Sequence, residues 1–186
     1  MWSFESFLPY VPLVVLLCWA AIGDLRARVI RNWLTVSLML SGLIQSFLPG
    51  GTIPPGDAFL GLLAGFGLLI LPFAIGAIGG GDVKLLAGIG AWVGPMACFQ
   101  IFAVEAVIGM GIVLAQAAAA GRLAALFRNS AVLAMNMAHA DRLGSDHLQK
   151  TARHCRSIDR PLPYAVPTLV ATVLVLTFVV IRGGHG

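Results

Sequence analysis

Gly79-Gly80-Gly81-Asp82-Val83-Lys84 is a G-x-G-D-x-K run set between two hydrophobic stretches. Residues 58–78 ahead of it carry no charged side chain, and residues 83–93 behind it carry only Lys84. An aspartate so placed sits at the mouth of a bilayer or inside it. An ionisable group is costly to keep there and marks a functional site by default. Asp24 closes the first hydrophobic segment in a similar way. Two such carboxylates raise the question of acid–base chemistry in a membrane.

Composition fixes the environment. Of 186 residues, 59% are hydrophobic and 11% charged, and the mean hydropathy is +0.92, outside the range of ordinary soluble domains. Residues 1–186 are read as a single integral-membrane domain, long enough for about five or six helices. The three cysteines, Cys18, Cys98 and Cys155, form no C-x-x-C pair, so neither a zinc site nor a disulfide framework is indicated. Cys18 and Cys98 fall in apolar runs and read as packing residues. Residues 1–6 lack Lys and Arg and include Glu5. They make a poor signal-peptide start, and the first segment reads as a retained membrane helix.

Hydrophobic runs broken at charges and Pro/Gly turns predict helices over about 7–22, 33–48, 58–78, 83–93, 96–119 and 163–181. Residues 49–57, Pro-Gly-Gly-Thr-Ile-Pro-Pro-Gly-Asp, form a loop rich in turn residues. The apolar run from 83 to 119 exceeds one helix, and Gly94-Pro95 is its natural break. The expected fold is all-α, a polytopic bundle of six transmembrane helices. Six crossings place eleven of the twelve Lys and Arg residues on one face and leave Arg182 on the other. The positive-inside rule makes that basic face cytoplasmic, with Asp24 and Asp82 at similar depth beside it.

The connection 120–162 is the long cytoplasmic loop of this scheme. Leu123, Leu126, Phe127, Ala134 and Met137 roughly follow helical spacing beside Arg122 and Arg128, the pattern of a basic amphipathic helix on the membrane surface. Residues 142–160 have the mixed composition of a mobile loop. His139, His147 and His154 lie at spacings that match no common ligand pattern, and read as solvated.

Each acid also has a purely structural reading. G-x-G-D can arise by chance in a glycine-rich chain, and Asp82 could simply be the N-cap of the helix it opens. Asp24 stands near a helix C-terminus, where the macrodipole disfavours a carboxylate. A cap does not explain it, and a salt bridge to Arg26 or Arg28 is its structural reading. Glu105, at membrane depth in the fifth segment, reads first as a helix–helix hydrogen-bonding residue and second as a third functional acid.

Taken together, these features resemble the type IV prepilin peptidases, of the GxGD group of intramembrane aspartyl proteases that also includes presenilin and signal peptide peptidase. Val29-Ile30-Arg31-Asn32-Trp33-Leu34-Thr35 after Asp24 is similar to the family's I-P-N-x-L-T stretch. Leu162-Pro163-Tyr164-Ala165 resembles the I/L-P-Y/F-G/A opening of its last helix. Arg31 stands where the family usually has proline. The cytosolic insertion with paired C-x-x-C motifs, linked in larger members to N-methylation, has no counterpart here. The short form resembles the peptidases of tight-adherence (Flp) pilus systems, preferred over the archaeal preflagellin peptidases on length and arrangement.

The resemblance implies a prepilin leader peptidase, an aspartic-type endopeptidase of the bacterial inner membrane. It would cleave the basic leader from a prepilin or pseudopilin at the cytoplasmic face. It implies Asp24 and Asp82 as catalytic, Gly79, Gly81 and Lys84 as the supporting loop, no cofactor and no metal. Its partners are the prepilin, the lipid bilayer and pilus-assembly machinery; no nucleic acid is expected. Two close carboxyl groups cannot both ionise easily, so one keeps a proton while the other activates water. A small proton-coupled transporter using Asp24, Asp82 and Glu105 as relay groups and a non-catalytic pilus or secretion assembly component are the competing readings. No inverted repeat favours the former, and the presence of both aspartates disfavours the latter.

Overall fold

The computed structural model describes residues 7–74, 78–124, 128 and 164–183. Among them the regular structure is entirely helical. A short 3-10 turn, Leu8–Tyr10, leads into α1 (Val11–Ala27), followed by α2 (Asn32–Phe47), α3 (Pro55–Ala74), α4 (Gly80–Ala119) and α5 (Ala165–Gly183). Leu8–Ala27, Pro55–Ala74 and Gly80–Ala119 are long and apolar enough to cross a membrane, while Ala165–Ile181 is a shorter apolar helix. Large apolar side chains such as Trp19, Leu40, Ile44, Phe59, Leu71 and Met96 lie exposed on the outer faces. An apolar exterior of this kind suits a lipid environment. Most of the expected interfacial helix, the 142–160 loop and the three histidines lie outside the described residues.

The chain reverses inside α4. Gly94 has φ 81° and ψ 173°, with Pro95 next. The positive φ requires glycine, and the extended ψ is what a following proline enforces. Beyond this point Cys98 Sγ lies 3.9 Å from the Leu86 carbonyl oxygen. Twelve residues of straight helix would hold them about 18 Å apart, so the two limbs, 80–93 and 95–119, must fold back against each other. The break expected at Gly94-Pro95 is therefore present.

The first limb is the centre of the molecule. Val83, Leu85, Leu86, Ala87, Gly88, Ile89, Gly90, Ala91 and Trp92 are all buried, and a helix apolar on every side belongs in such a place. Its neighbours approach it through glycines. A Cβ on Gly61 of α3 would collide with the Gly90 carbonyl, and one on Gly90 with the Gly61 carbonyl. A Cβ on Gly65 would lie 2.6 Å from the Ala87 Cα. On the other side α2 supplies Leu38 against Gly88, and Gly42 against Ala91 and Trp92. Trp92 Nε1 donates to the Leu38 carbonyl at 3.2 Å. The 49–57 loop is tied down where the limb ends, with Thr52 Oγ1 donating to the Trp92 carbonyl at 3.0 Å. Cys98 is buried as expected. Cys18 is exposed and packs nothing inside.

The connection between α1 and α2 is short and shaped. Arg28 closes α1 in the left-handed region, φ 52°, and its N–H returns to the Asp24 carbonyl at 2.8 Å. Arg31 then precedes α2 with φ −68° and ψ 131°. Those angles are ones proline would impose. The family's proline is absent, but its backbone geometry is kept.

Gly61→Ala should destabilise the protein by about 1–3 kcal/mol through overpacking. Gly67→Ala, where a Cβ meets nothing within 4 Å, should be neutral or stabilising by up to about 1 kcal/mol. Thermal unfolding in detergent separates the pair. By the same assay Arg31→Pro should raise stability by up to about 1 kcal/mol, because it restricts the unfolded chain to a conformation already native.

Candidate functional site

Three helix ends meet at the site: the last turn of α1, the first turn of α4 and the start of α5. Asp24 is only 6% exposed, and its Oδ2 accepts the N–H of Ala165 at 2.9 Å. That N–H is one of the orphan donors at the start of α5, which no carbonyl of its own helix can reach. Asp24 is poorly placed for the dipole of its own helix, but it is well placed for the positive end of another. The capping role that α1 alone could not explain belongs to α5. The sequence suggests a pairing with Arg26 or Arg28, but the oxygen is taken instead by a backbone N–H 141 positions away.

Asp82 occupies the third position of α4, with Gly79 as the N-cap residue. Its Oδ2 accepts the Gly79 N–H at 3.1 Å, and its own N–H donates to the Gly79 carbonyl at 3.2 Å. The carboxylate thus closes the glycine turn that carries it. A Cβ on Gly79 would lie 3.3 Å from that oxygen. A Cβ on Gly81 would lie 3.2 Å from the Ile30 Cβ, so Gly81 admits the α1–α2 connection against the start of α4. Lys84 reinforces the same junction, its Nζ donating to Asn32 Oδ1 at 2.8 Å. The lysine of the G-x-G-D-x-K run therefore ties α4 to α2.

These anchors bring Asp24 and Asp82 close enough for their charges to interact. Each carboxyl is held through Oδ2 by one backbone N–H. Oδ1 of each accepts no hydrogen bond among the described residues. Among the described residues each carboxyl is thus held by one oxygen, with the other left over.

Glu105 joins the cluster from the second limb. Asp82 stands twelve residues before Gly94 and Glu105 eleven after it, distances of about 18 and 17 Å along limbs that run back on each other. They reach the same level, and Glu105 interacts electrostatically with Asp82. It is 4% exposed and faces the Tyr164 and Thr168 side chains of the α5 start. It thus sits between the second limb of α4 and the start of α5. Its Oε2 has no hydrogen-bond partner among the described residues. A cavity of about 300 Å³ lies alongside, lined by Leu69, Pro72, Ile78, Phe102, Glu105 and Tyr164 among others. Sequence reasoning named Tyr164 only as part of a motif and missed its meeting with Glu105. Its signal was a phenol hydroxyl just ahead of a largely apolar helix. Among the described residues no group of three or more His, Cys, Asp or Glu side chains is arranged to hold a metal ion.

Residues 11–114 match the type IV leader peptidase family. The chain belongs to that family. The matched span contains Asp24, the whole 79–84 run and Glu105, while α5 lies beyond it. The prepilin leader peptidase/N-methyltransferase of Aeromonas salmonicida (strain A449) is 35% identical over 115 residues, covering 54% of this chain and 39% of that protein. The protein of the same description from Neisseria gonorrhoeae is 33% identical over 106 residues, 53% of this chain and 37% of its own. That from Pectobacterium carotovorum subsp. carotovorum is 36% identical over 98 residues, 49% and 35%. The matches thus cover less than half the length of these relatives. No solved structure matches.

The capping contribution of Asp24 can be separated from its charge. Asp24→Ala should lower stability by about 0.5–2 kcal/mol through loss of the α5 cap, whereas Asp24→Asn, which keeps an acceptor oxygen, should lose little. Thermal unfolding of the two purified variants checks this.

Proposed function

We propose that this family member is a prepilin leader peptidase, an aspartic-type endopeptidase in which Asp24 and Asp82 form the catalytic pair. The observation that carries the reading is the convergence of these two carboxyls, from the end of α1 and the start of α4, within an apolar helical assembly. Each is anchored by one oxygen on a backbone N–H, which leaves the other oxygen for water and substrate.

The chemistry uses no group beyond these two and a water molecule. The ionised member of the pair takes a proton from water while the water oxygen attacks the scissile carbonyl carbon. The protonated member gives its proton to the carbonyl oxygen, forming a tetrahedral gem-diol. Proton return to the amide nitrogen then breaks the C–N bond, leaving a carboxyl on the leader and an amine on the mature chain. Acid and base belong to the pair jointly, because strongly interacting carboxyls titrate as a unit.

The substrate in this reading is a prepilin or pseudopilin with a short basic leader ahead of a hydrophobic helix. α1, α2, α3, the two limbs of α4 and α5 make six crossings. The basic connections face the cytoplasm of a bacterial inner membrane, and Asp24 and Asp82 stand at that face. Cleavage then falls where the leader meets the helix, beside pilus-assembly machinery. The relatives' second named activity is not part of the proposal, since the paired C-x-x-C motifs that the resemblance ties to methylation are not in this sequence.

Co-expression with a candidate prepilin, read as the mobility shift on leader loss, is the test. Asp24→Asn and Asp82→Asn should each reduce cleavage by at least about 100-fold, the scale of general acid–base catalysis, in protein that still accumulates in the membrane. Cleavage surviving either change would remove the two-aspartate assignment.

A further inference from the structure

The buried Glu105 and the cavity beside it play no part in the two-aspartate chemistry. Nine-tenths and more of the residue is buried, yet Oε2 has no partner among the described residues. The Thr168 hydroxyl that faces Glu105 already donates to the Tyr164 carbonyl at 2.9 Å, so its one proton is committed elsewhere. The Tyr164 hydroxyl also interacts with this carboxyl, yet Oε2 itself stays unpaired among the described residues. A buried acceptor oxygen without a donor is costly, and its persistence points to a donor that arrives with a ligand. Apart from Glu105 and Tyr164 the cavity walls are apolar: Leu69 and Pro72 from α3, Ile78 ahead of α4, and Phe102 and Met110 from its second limb. At about 300 Å³ it is at the lower bound of ligand pockets, room for one large apolar side chain with a polar group beside it.

We propose that this pocket seats the first residue of the mature chain, its apolar side chain against the walls and its amino group on Glu105. The proposal rests on the peptidase reading above. Glu105 stands level with Asp82 and close enough to interact with it, so the pocket adjoins the position of the scissile bond. The residue just past the cut is the part of the mature chain nearest that position. An apolar pocket suits the hydrophobic mature segment better than a basic leader. Before cleavage the scissile N–H and the first N–H groups of the substrate helix are orphan donors, and Glu105 can accept one. After cleavage the new amine and the Glu105 carboxyl form an ammonium–carboxylate pair that shares the available proton, with no further bond made or broken.

The test uses the purified full-length enzyme and two peptides copying the start of the mature chain, one with a free amine and one N-acetylated. A leader peptide is the third probe. The free-amine peptide should inhibit unaltered enzyme at least about tenfold more strongly than its acetylated twin, in line with a charge-assisted hydrogen bond. In Glu105→Gln that ratio should fall to about one, with the acetylated peptide and the leader peptide unchanged. Ala106→Leu, which fills the cavity from its wall, should weaken both mature-chain peptides and keeps the test open if the Glu105 variant does not accumulate. Equal inhibition by the two peptides on unaltered enzyme, or a ratio that persists in Glu105→Gln, overturns the proposal. So does leader inhibition that responds to Glu105→Gln, which would give the carboxyl to a leader lysine. Each of those results leaves the peptidase reading standing if unaltered enzyme cleaves prepilin. If it cleaves none, the peptidase reading fails separately, and direct binding of the same peptide pair still decides the pocket.

Discussion

Close backbone contact between α3 and the first limb of α4 is the constraint on which the site depends. Between lipid-facing helices there is little hydrophobic force, because lipid tails are as apolar as leucine, so association relies on close packing through small residues. Gly61 and Gly90 meet carbonyl against backbone, and Gly65 meets Ala87. That contact, with α2 on the other side and the second limb folded back, buries the first limb and fixes where α4 begins. Asp82 is in the first turn of that limb, so its position is set by glycines up to two turns further along. The fold-back at Gly94 then returns the second limb at a spacing that levels Glu105 with Asp82.

Asp24 shows how a buried carboxyl can be held by a helix other than its own. Burial of an acid at the negative end of its own helix is unfavourable on two counts. The N–H of Ala165 and the positive end of α5 offset both. Asp82, already at the positive end of its own helix, is anchored locally by bonding to Gly79 across its own turn. The two acids are thus anchored by the same type of donor from different sources, one close in sequence and one remote. Any motion of α5 relative to α1 acts directly on Asp24, so the pair is sensitive to the docking of the last helix.

What the sequence by itself determined are the features whose causes are local. The density of apolar residues required a lipid-facing helical protein, and Gly94-Pro95 required a reversal because few other dipeptides combine positive φ with a missing N–H. The glycines before Asp82 required a turn opening a helix. The choice of Asp24 and Asp82 as the pair to watch came from charge placed where charge is costly. Even Arg31, in the place of the family's proline, keeps a proline-like φ, since the chain must still turn from α1 to α2. Tertiary structure alone decided who partners whom. The N–H that Asp24 holds, the bond from Lys84 to Asn32, and the meeting of Glu105 with Tyr164 join residues dozens of positions apart, and no periodicity encodes such pairings. The unpartnered oxygen of Glu105 is likewise invisible in sequence, because a donor is missing only once every neighbour has been placed.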